Sequence, residues 1–384
     1  MPFRRSILHI GALAAAVLAP QAAWEHAQTE FWITDAPFAA ACDGVTPDDV
    51  AFAAAVAAAG AVGGKVKIPL CTTYLQKPLA AGPYTSTTIE GSDKLGSGIE
   101  FGSGGISSTS VKFEMRDLTV TCGPSSTCVA LGSATSGPTE STVERVKFAG
   151  GGVELSISNG SAMHVQNNSF FQCVYYCIAI QAPANVDGGD SWVTGNFLLN
   201  YGSMAGTAVG IYQISGGGWK IQQNKVNQFS ISYYLQAQLN GAVMSNVMIQ
   251  QNSLEGCSSV CVLFTIEGIG AVYNVNVDGN EGGAGLGGYF LETQPLASGG
   301  LWIGNFGAVG NKIRGVNAGG GIYLSGLVTL NVTGNIVTDA GTCGVGITTA
   351  AANSTGLVDS NTVTQCSTKT SIAGTAVIAV NNGP

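Results

Sequence analysis

Charge is what this chain has least of: 10% of its 384 residues are Asp, Glu, Lys or Arg, and only three are histidine. So thin a charge complement suits a chain whose side chains mostly face a stacked core or neighbouring turns. Fifteen basic residues against 23 acidic ones leave a net charge of −8, which argues against a nucleic-acid partner because phosphate contacts need Lys and Arg. Histidine-dependent catalysis has little to use beyond His26 and His164. Long apolar runs are also missing. The run from Ile7 to Ala19 follows Arg4 and Arg5, is too short to span a bilayer and leads to small residues at Ala22-Ala23, the pattern of an export signal over residues 1–23. No later run is long and apolar enough for a transmembrane segment. The expected location is secreted, whether periplasmic or extracellular. Helical periodicity is absent after the N-terminal region.

What is present is glycine, 55 residues of it, and a register of asparagines. Asn168, Asn196, Asn224, Asn252 and Asn280 stand 28 residues apart, each three positions after Val165, Val193, Ile221, Ile249 or Val277. Phe170, Leu198, Val226 and Leu254 follow two positions later, with Gly282 as the lapse. The register continues at Asn311, Asn335 and Asn361, and extends upstream to Asp117 and Arg145. A period of this length marks a solenoid, in which each repeat buries its apolar face only against its neighbours. Between asparagines the pattern alternates with period 2, as in Trp192-Val193-Thr194 and Lys220-Ile221-Gln222, the mark of strands with one buried face. The fold class is therefore all-β, a parallel β-helix of about ten or more coils over residues 86–384. Asparagines in one turn of successive coils stack and hydrogen-bond along the axis, and asparagine tolerates the left-handed backbone such corners need. They are scaffold rather than site.

Ten cysteines in an exported chain read as disulfides. Cys122, Cys173, Cys257 and Cys366 each lie five positions after a ladder residue, and Cys173/Cys177 and Cys257/Cys261 share one spacing and one coil position. Cys122/Cys128 would close a turn, Cys343/Cys366 would join adjacent coils, and Cys42/Cys71 would tie down the N-terminal segment. Zinc is the competing reading of the paired spacings, but no further Cys or His completes either set.

Residues 24–85 have a different character. Thr46-Pro47-Asp48-Asp49 reads as a helix start, with a Thr N-cap, Pro in the first turn and two acids at the positive dipole end. An alanine-rich helix over 47–60 follows, with Phe52 and Val56 on one face, and would cover the open edge of the first coil. Cys42-Asp43-Gly44-Val45-Thr46-Pro47-Asp48-Asp49, this helix, Gly63-Gly64-Lys65-Val66-Lys67-Ile68-Pro69 and Thr73-Tyr74-Leu75 together resemble the N-terminal signature of the pectate-lyase-like (pectin-lyase fold) superfamily. The resemblance implies a right-handed β-helix that acts on, or binds, long acidic or complex glycans in a surface groove. Secreted polysaccharide-degrading enzymes and tailspike-type depolymerases share it. The polygalacturonase motifs of that superfamily are missing here: the one Asp-Asp pair is in the cap and no His-Gly occurs.

The candidate chemistry lies in the segments after each ladder turn. If Ile180, Ile211, Leu235, Phe264 and Leu291 point inward, then Tyr212, Tyr234, Gln236, Thr265, Glu267 and Glu292 point outward. Glu267 and Glu292 would then sit on adjacent rungs, about 5–10 Å apart, the span of glycosidase carboxylate pairs. These two are the expected catalytic pair, with Tyr212, Tyr234 and Gln236 binding sugar; two solvated acids at strand ends is the plainer reading. A second strip runs along the strands before the ladder, where Trp192, Gln222, Gln250 and Asp278 would line a glycan groove or simply face water. Asp187 and Asp190 on one loop make a weak Ca²⁺ pair, and no cofactor is otherwise expected. The expected function is depolymerisation of a polysaccharide by hydrolysis or β-elimination, the alternative being a non-catalytic glycan-binding or tailspike-like surface protein.

Overall fold

In the computed structural model, the residues described are 29–181, 187–202, 205–237, 243–266, 271–284, 288–295, 302–315, 319–326, 329–338, 343–350, 355–373 and 376–380. Every strand pairing among them is parallel. The strands form three sheets of 14, 13 and 12 strands, and each coil contributes one strand to each sheet in turn. This is the parallel β-helix the asparagine register demands. One helix, α1 (Asp49–Val62), lies near the N-terminus. The parallel sheets already take in Lys65–Ile68 and Thr72–Leu75, upstream of residue 86. The expected export signal, residues 1–23, lies outside the described residues. No described helix is long and apolar enough to cross a membrane.

One coil shows how sequence becomes structure. In Gly217–Gln222, Trp219 and Ile221 are buried while Lys220 and Gln222 point out, so the side-chain period of 2 is met on the first sheet. Gln223 then takes a left-handed backbone (φ 55°), the chain turns at Asn224, and Lys225–Asn227 buries Val226 in the second sheet. A second left-handed residue, Gln228 (φ 62°), leads to Phe229–Ala237 of the third sheet. Stacked inward side chains, such as Phe148 on Phe170 with ring centroids 4.8 Å apart, fill the cylinder.

The ladder is continuous from Asn168 to Asn361. In each step the next Oδ1 accepts both the backbone N–H and the Nδ2–H of the rung before, as from Asn196 to Asn224 at 2.9 Å each. The Nδ2 also donates to a carbonyl of the preceding coil, Val165 for Asn196 and Val193 for Asn224. All eight asparagines are buried, so every amide group has a partner where an orphan would be costly. Two expectations need correction here. The left-handed corner is filled by the residue before each ladder asparagine: Asn167, Gly195, Gln223, Gln251, Gly279, Gly310, Gly334 and Ser360. Asp117 and Arg145 belong to that corner as well, at φ 57° and 53°, one position off the ladder. Val146 holds the ladder position in its coil, and its N–H donates to Asn168 Oδ1 at 2.9 Å.

All five expected disulfides are formed: Cys42–Cys71, Cys122–Cys128, Cys173–Cys177, Cys257–Cys261 and Cys343–Cys366. The helix starts two residues later than the 47–60 expected, because Pro47 ends a strand and the Thr46 hydroxyl donates to Asp43 rather than capping. Asp48 holds the N-cap position, yet its carboxylate is taken by the N–H groups of Ala41 and Cys42. Phe52, Ala55, Val56 and Ala59 bury one face of α1 against the first coils, and Gly63 closes it in the left-handed conformation (φ 66°).

Candidate functional site

The outward face of the third sheet carries a row of tyrosines, side-chain amides and one carboxylate. Alternation puts Ile211, Tyr233, Val262 and Leu291 in one inward column, and Gln213, Leu235, Phe264 and Thr293 in another. Between them the outward column runs Ala179, Tyr212, Tyr234, Leu263, Glu292, Tyr323. The Tyr176 and Tyr212 rings stack at 4.6 Å, and Tyr212 leans on Tyr234 at 5.2 Å. Further along, the Tyr289 and Tyr323 rings lie 5.0 Å apart, tilted by 34°. Glycine fits at position 320 because a Cβ there would meet the Val345 carbonyl oxygen at 2.3 Å and the Tyr289 ring at 2.9 Å. The rung of Leu263 separates the two tyrosine groups, and Glu292 shares its strand with Tyr289.

The polar groups of this face are tied to one another. The Tyr212 hydroxyl donates to Gln236 Oε1, and the Thr265 hydroxyl donates to the Tyr234 oxygen at 3.2 Å. Glu292 accepts a hydrogen bond from Gln294 Nε2 at 2.6 Å and is 9% exposed, although it points away from the core. Burial first, then the Glu292 carboxylate and Tyr323, push the Tyr289 phenol up, so it remains an O–H donor beside an acceptor. Of the expected residues, Tyr212, Tyr234, Gln236 and Glu292 come together here.

Glu292 pairs in register with Leu263, four positions before Glu267, and Glu267 lies outside the described residues. The alignment of these two acids in one column is corrected accordingly. Alternation fixes which face a residue takes but not its register: Glu267 lies 15 residues after its ladder asparagine and Glu292 only 12 after its own. The turn before Leu291 is one residue longer than that before Val262, so Glu292 meets Leu263, four positions before Glu267. Tyr176, Tyr289, Tyr323 and Gln294 were not expected in the site. The tyrosines recur in the same strand segment of several coils, a signal that only the correct rung alignment turns into ring contacts.

Trp192, Gln222, Gln250 and Asp278 lie on the first sheet, on a different face. Lys220 sits over the Trp192 ring at 4.3 Å and forms an ion pair with Asp190 at 2.9 Å. A cleft of about 410 Å³ runs beside them, lined by Asp190, Lys220, Asn246, Met248, Asn274 and Asn276. Gln250 Nε2 donates to Asp278 at 3.3 Å, and burial pushes the Asp278 carboxyl up. Asp190 is committed to Lys220 and the Asp187 side chain is outside the described residues, so the Ca²⁺ expectation gains no third ligand. Among the described residues the one group of three metal-ligating side chains is Glu154, Cys173 and Cys177, and both cysteines are spent in a disulfide.

No protein-family model matches the sequence, and no curated protein matches it. Solved structures do match. The mannuronan C-5 epimerase AlgE6 A-module of Azotobacter vinelandii shares 17% identity and a TM-score of 0.64 over 92% of this chain and 98% of its own. The DFA-IIIase of Arthrobacter chlorophenolicus A6 in complex with DFA-III matches at 14% identity and TM-score 0.56, over 92% of this chain and 86% of its own. The catalytic unit of the GH87 alpha-1,3-glucanase of Streptomyces thermodiastaticus matches at 15% identity and TM-score 0.54, over 93% of this chain and 68% of its own. The likeness is one of fold.

Proposed function

We propose that this chain is a secreted carbohydrate-active protein that binds a polysaccharide along the outward face of its third sheet and depolymerises it there. The observation that carries the reading is the row of tyrosine contacts on this face, Tyr176–Tyr212–Tyr234 and Tyr289–Tyr323, the second beginning on the strand that carries Glu292. Rungs spaced about 4.8 Å apart make a regular row of aromatic walls and hydrogen-bonding amides, the mix of apolar surface and placed polar groups that ligand sites use. The β-helices it resembles in fold include a mannuronan epimerase and an alpha-1,3-glucanase, which supports a glycan as ligand. Five disulfides support an oxidising compartment.

In the hydrolytic form of this reading, Glu292 transfers the proton at the scissile bond, with the Tyr289 O–H as a neighbouring donor. Glu267, which follows the strand paired to that of Glu292, is the proposed second carboxyl. Hydrolysis is favoured over β-elimination because no Lys or Arg stands in the described column around Glu292. Glycan binding without cleavage is the second reading. It is favoured by one observation: among the described strands of the third sheet the acids are Glu292 and the fully buried Glu154.

The test is a polysaccharide panel with reducing ends and the absorbance of unsaturated products both recorded. Hydrolysis gives the first signal alone, and elimination gives both. Glu292→Gln should lower turnover by two orders of magnitude or more, about the worth of a general acid, with the melting temperature held. Full turnover in that variant removes Glu292 from the chemistry. Binding without either product signal establishes the second reading.

A further inference from the structure

The second sheet carries an arrangement that the tyrosine face does not use. Lys94 lies in the turn between the strands Ser86–Gly91 and Gly98–Phe101, yet its Nζ reaches Ser169 Oγ, 75 residues on, at 2.9 Å. Lys147 is the register partner of Ser169, Ser169 that of Phe197, and Phe197 that of Lys225, so these residues form one outward column. Lys147 Nζ sits 5.8 Å from the Phe171 ring centre, and Phe171 meets Phe197 edge to face at 5.8 Å. Both rings are half-buried.

The lysine turn is built to hold its shape. Asp93 Oδ1 accepts the N–H groups of Leu95 and Gly96, Ser97 Oγ accepts that of Ser92, and the Thr119 hydroxyl donates to the Lys94 carbonyl at 2.7 Å. Lys94 is thereby aimed across three coils at Ser169 rather than left to wander in water. Among the described residues, Lys94, Lys147 and Lys225 have no ion-pair partner, as is true of Lys77, Lys312 and Lys369, whereas Lys65, Lys67, Lys112, Arg116, Arg145, Lys220 and Arg314 have one. The nearest acid to bear on Lys94 is Asp117, whose two oxygens are already held by Arg145. In a chain of net charge −8, two ammonium groups brought together without a carboxylate between them are an unmet demand for an anion.

We propose that Lys94, Lys147 and Ser169, with Phe171 and Phe197 beside them, form a binding site for the anionic group of a charged glycan, a uronate carboxylate or a sulfate ester. The two ammonium groups and the hydroxyl supply charge-assisted hydrogen bonds to the anion. The phenylalanine faces take the apolar side of the sugar ring, and Lys225 extends the positive strip by two rungs from Ser169. Burial and the charge of Lys147 both push the Lys94 ammonium down from its ordinary value, and a bound anion relieves the repulsion that contributes to this. This site is on the second sheet and the tyrosine groove is on the third, so it stands whether or not the groove cleaves anything.

The experiment is affinity electrophoresis of the purified protein through native gels cast with polygalacturonate, with dextran sulfate or with unsubstituted dextran. Retardation is expected in one or both charged gels and not in dextran; which charged gel retards the protein tells carboxylate from sulfate ester. Lys94→Gln/Lys147→Gln should weaken the apparent affinity at least tenfold, about 1.4 kcal/mol, while Lys77→Gln, at an exposed lysine outside this column, should leave it unchanged. Ser169→Glu places a fixed carboxylate between the lysines without removing either, and should abolish retardation even if the double variant folds poorly. Equal retardation in dextran, wild-type retardation of Ser169→Glu, or complete displacement of the polymer by millimolar inorganic sulfate overturns the proposal.

Discussion

The first coils and the central coils face the same problem, a column of identical positions stacked rung on rung, and they answer it with different chemistry. At one outward position of the first sheet the N-terminal coils place Trp32, Lys67, Glu90, Arg116 and Glu144 in succession. Charge alternates along the column, and Glu90 is bonded by Lys67 at 2.7 Å and by Arg116 at 2.9 Å. From the next coil on, the same column reads Gln166, Thr194, Gln222 and Gln250, with no opposite charges at all. There the inter-coil bonds are made by the buried amides of the ladder instead, whose place is held by Val146 in the earlier coil. An alternating charge column needs its neighbours to differ, but an amide column needs them to be the same, because each amide both donates and accepts. Only the second can be extended by copying a repeat.

Three changes break or sharpen that contrast. The largest expected effect is Asn224→Ala, which leaves the Asn196 N–H, the Val193 carbonyl and the Asn252 amide short of partners in the interior. About 3 kcal/mol should be lost, by the same amount at pH 3 and pH 7; an unchanged urea midpoint would contradict the buried ladder. Glu90→Gln should cost about 2 kcal/mol at pH 7 and almost nothing near pH 2. Burial raises the Glu90 carboxyl, but hydrogen bonds from and the charges of Lys67 and Arg116 outweigh it and hold it at about 2. A carboxyl held low in the folded state adds stability above its ordinary value of 4.5, and that stability is lost as pH falls towards 2. Melting curves of wild type and variant across this window should therefore converge at the acid end; parallel curves would mean the charge column carries no linkage. The smallest effect is expected of Arg145→Gln. Its pair with Asp117 is 44% exposed on the arginine side, so solvent screening limits it to about 0.5 kcal/mol. Most of that should vanish in 1 M salt, which denaturant midpoints at two ionic strengths would show.

The ladder, the disulfide pairs and the burial of Phe52 and Val56 were legible because each repeats, or is forced by, a local pattern. Eight asparagines at near-constant spacing can stack in one way, and cysteines at equal offsets from them must share a corner. Rung assignment in the third sheet was not legible to the same degree. Period 2 told Tyr212, Tyr234 and Glu292 to face out, but alternation cannot tell one outward position from the next, and the register sets Glu292 beside Leu263, four positions before Glu267. The corner at Asp117 and Arg145 misled by one position, because their side chains resemble polar ladder members while their backbones are left-handed. The reach of Lys94 to Ser169 left no trace in any repeat: it joins a turn to a coil three rungs away, and periodicity is blind to side chains that cross it.

The spacing between successive ladder asparagines is 28 residues through Asn280, then 31, 24 and 26, yet the amide bonds stay at 2.9–3.1 Å throughout. The rung thus works as a ruler that does not count the chain between its marks. Residues can be gained or lost in the outlying turns of a coil without a strain bill reaching its neighbours, since the next amide resets the register. Novelty in such a molecule accumulates sideways, in the turns, while its length changes only in whole coils.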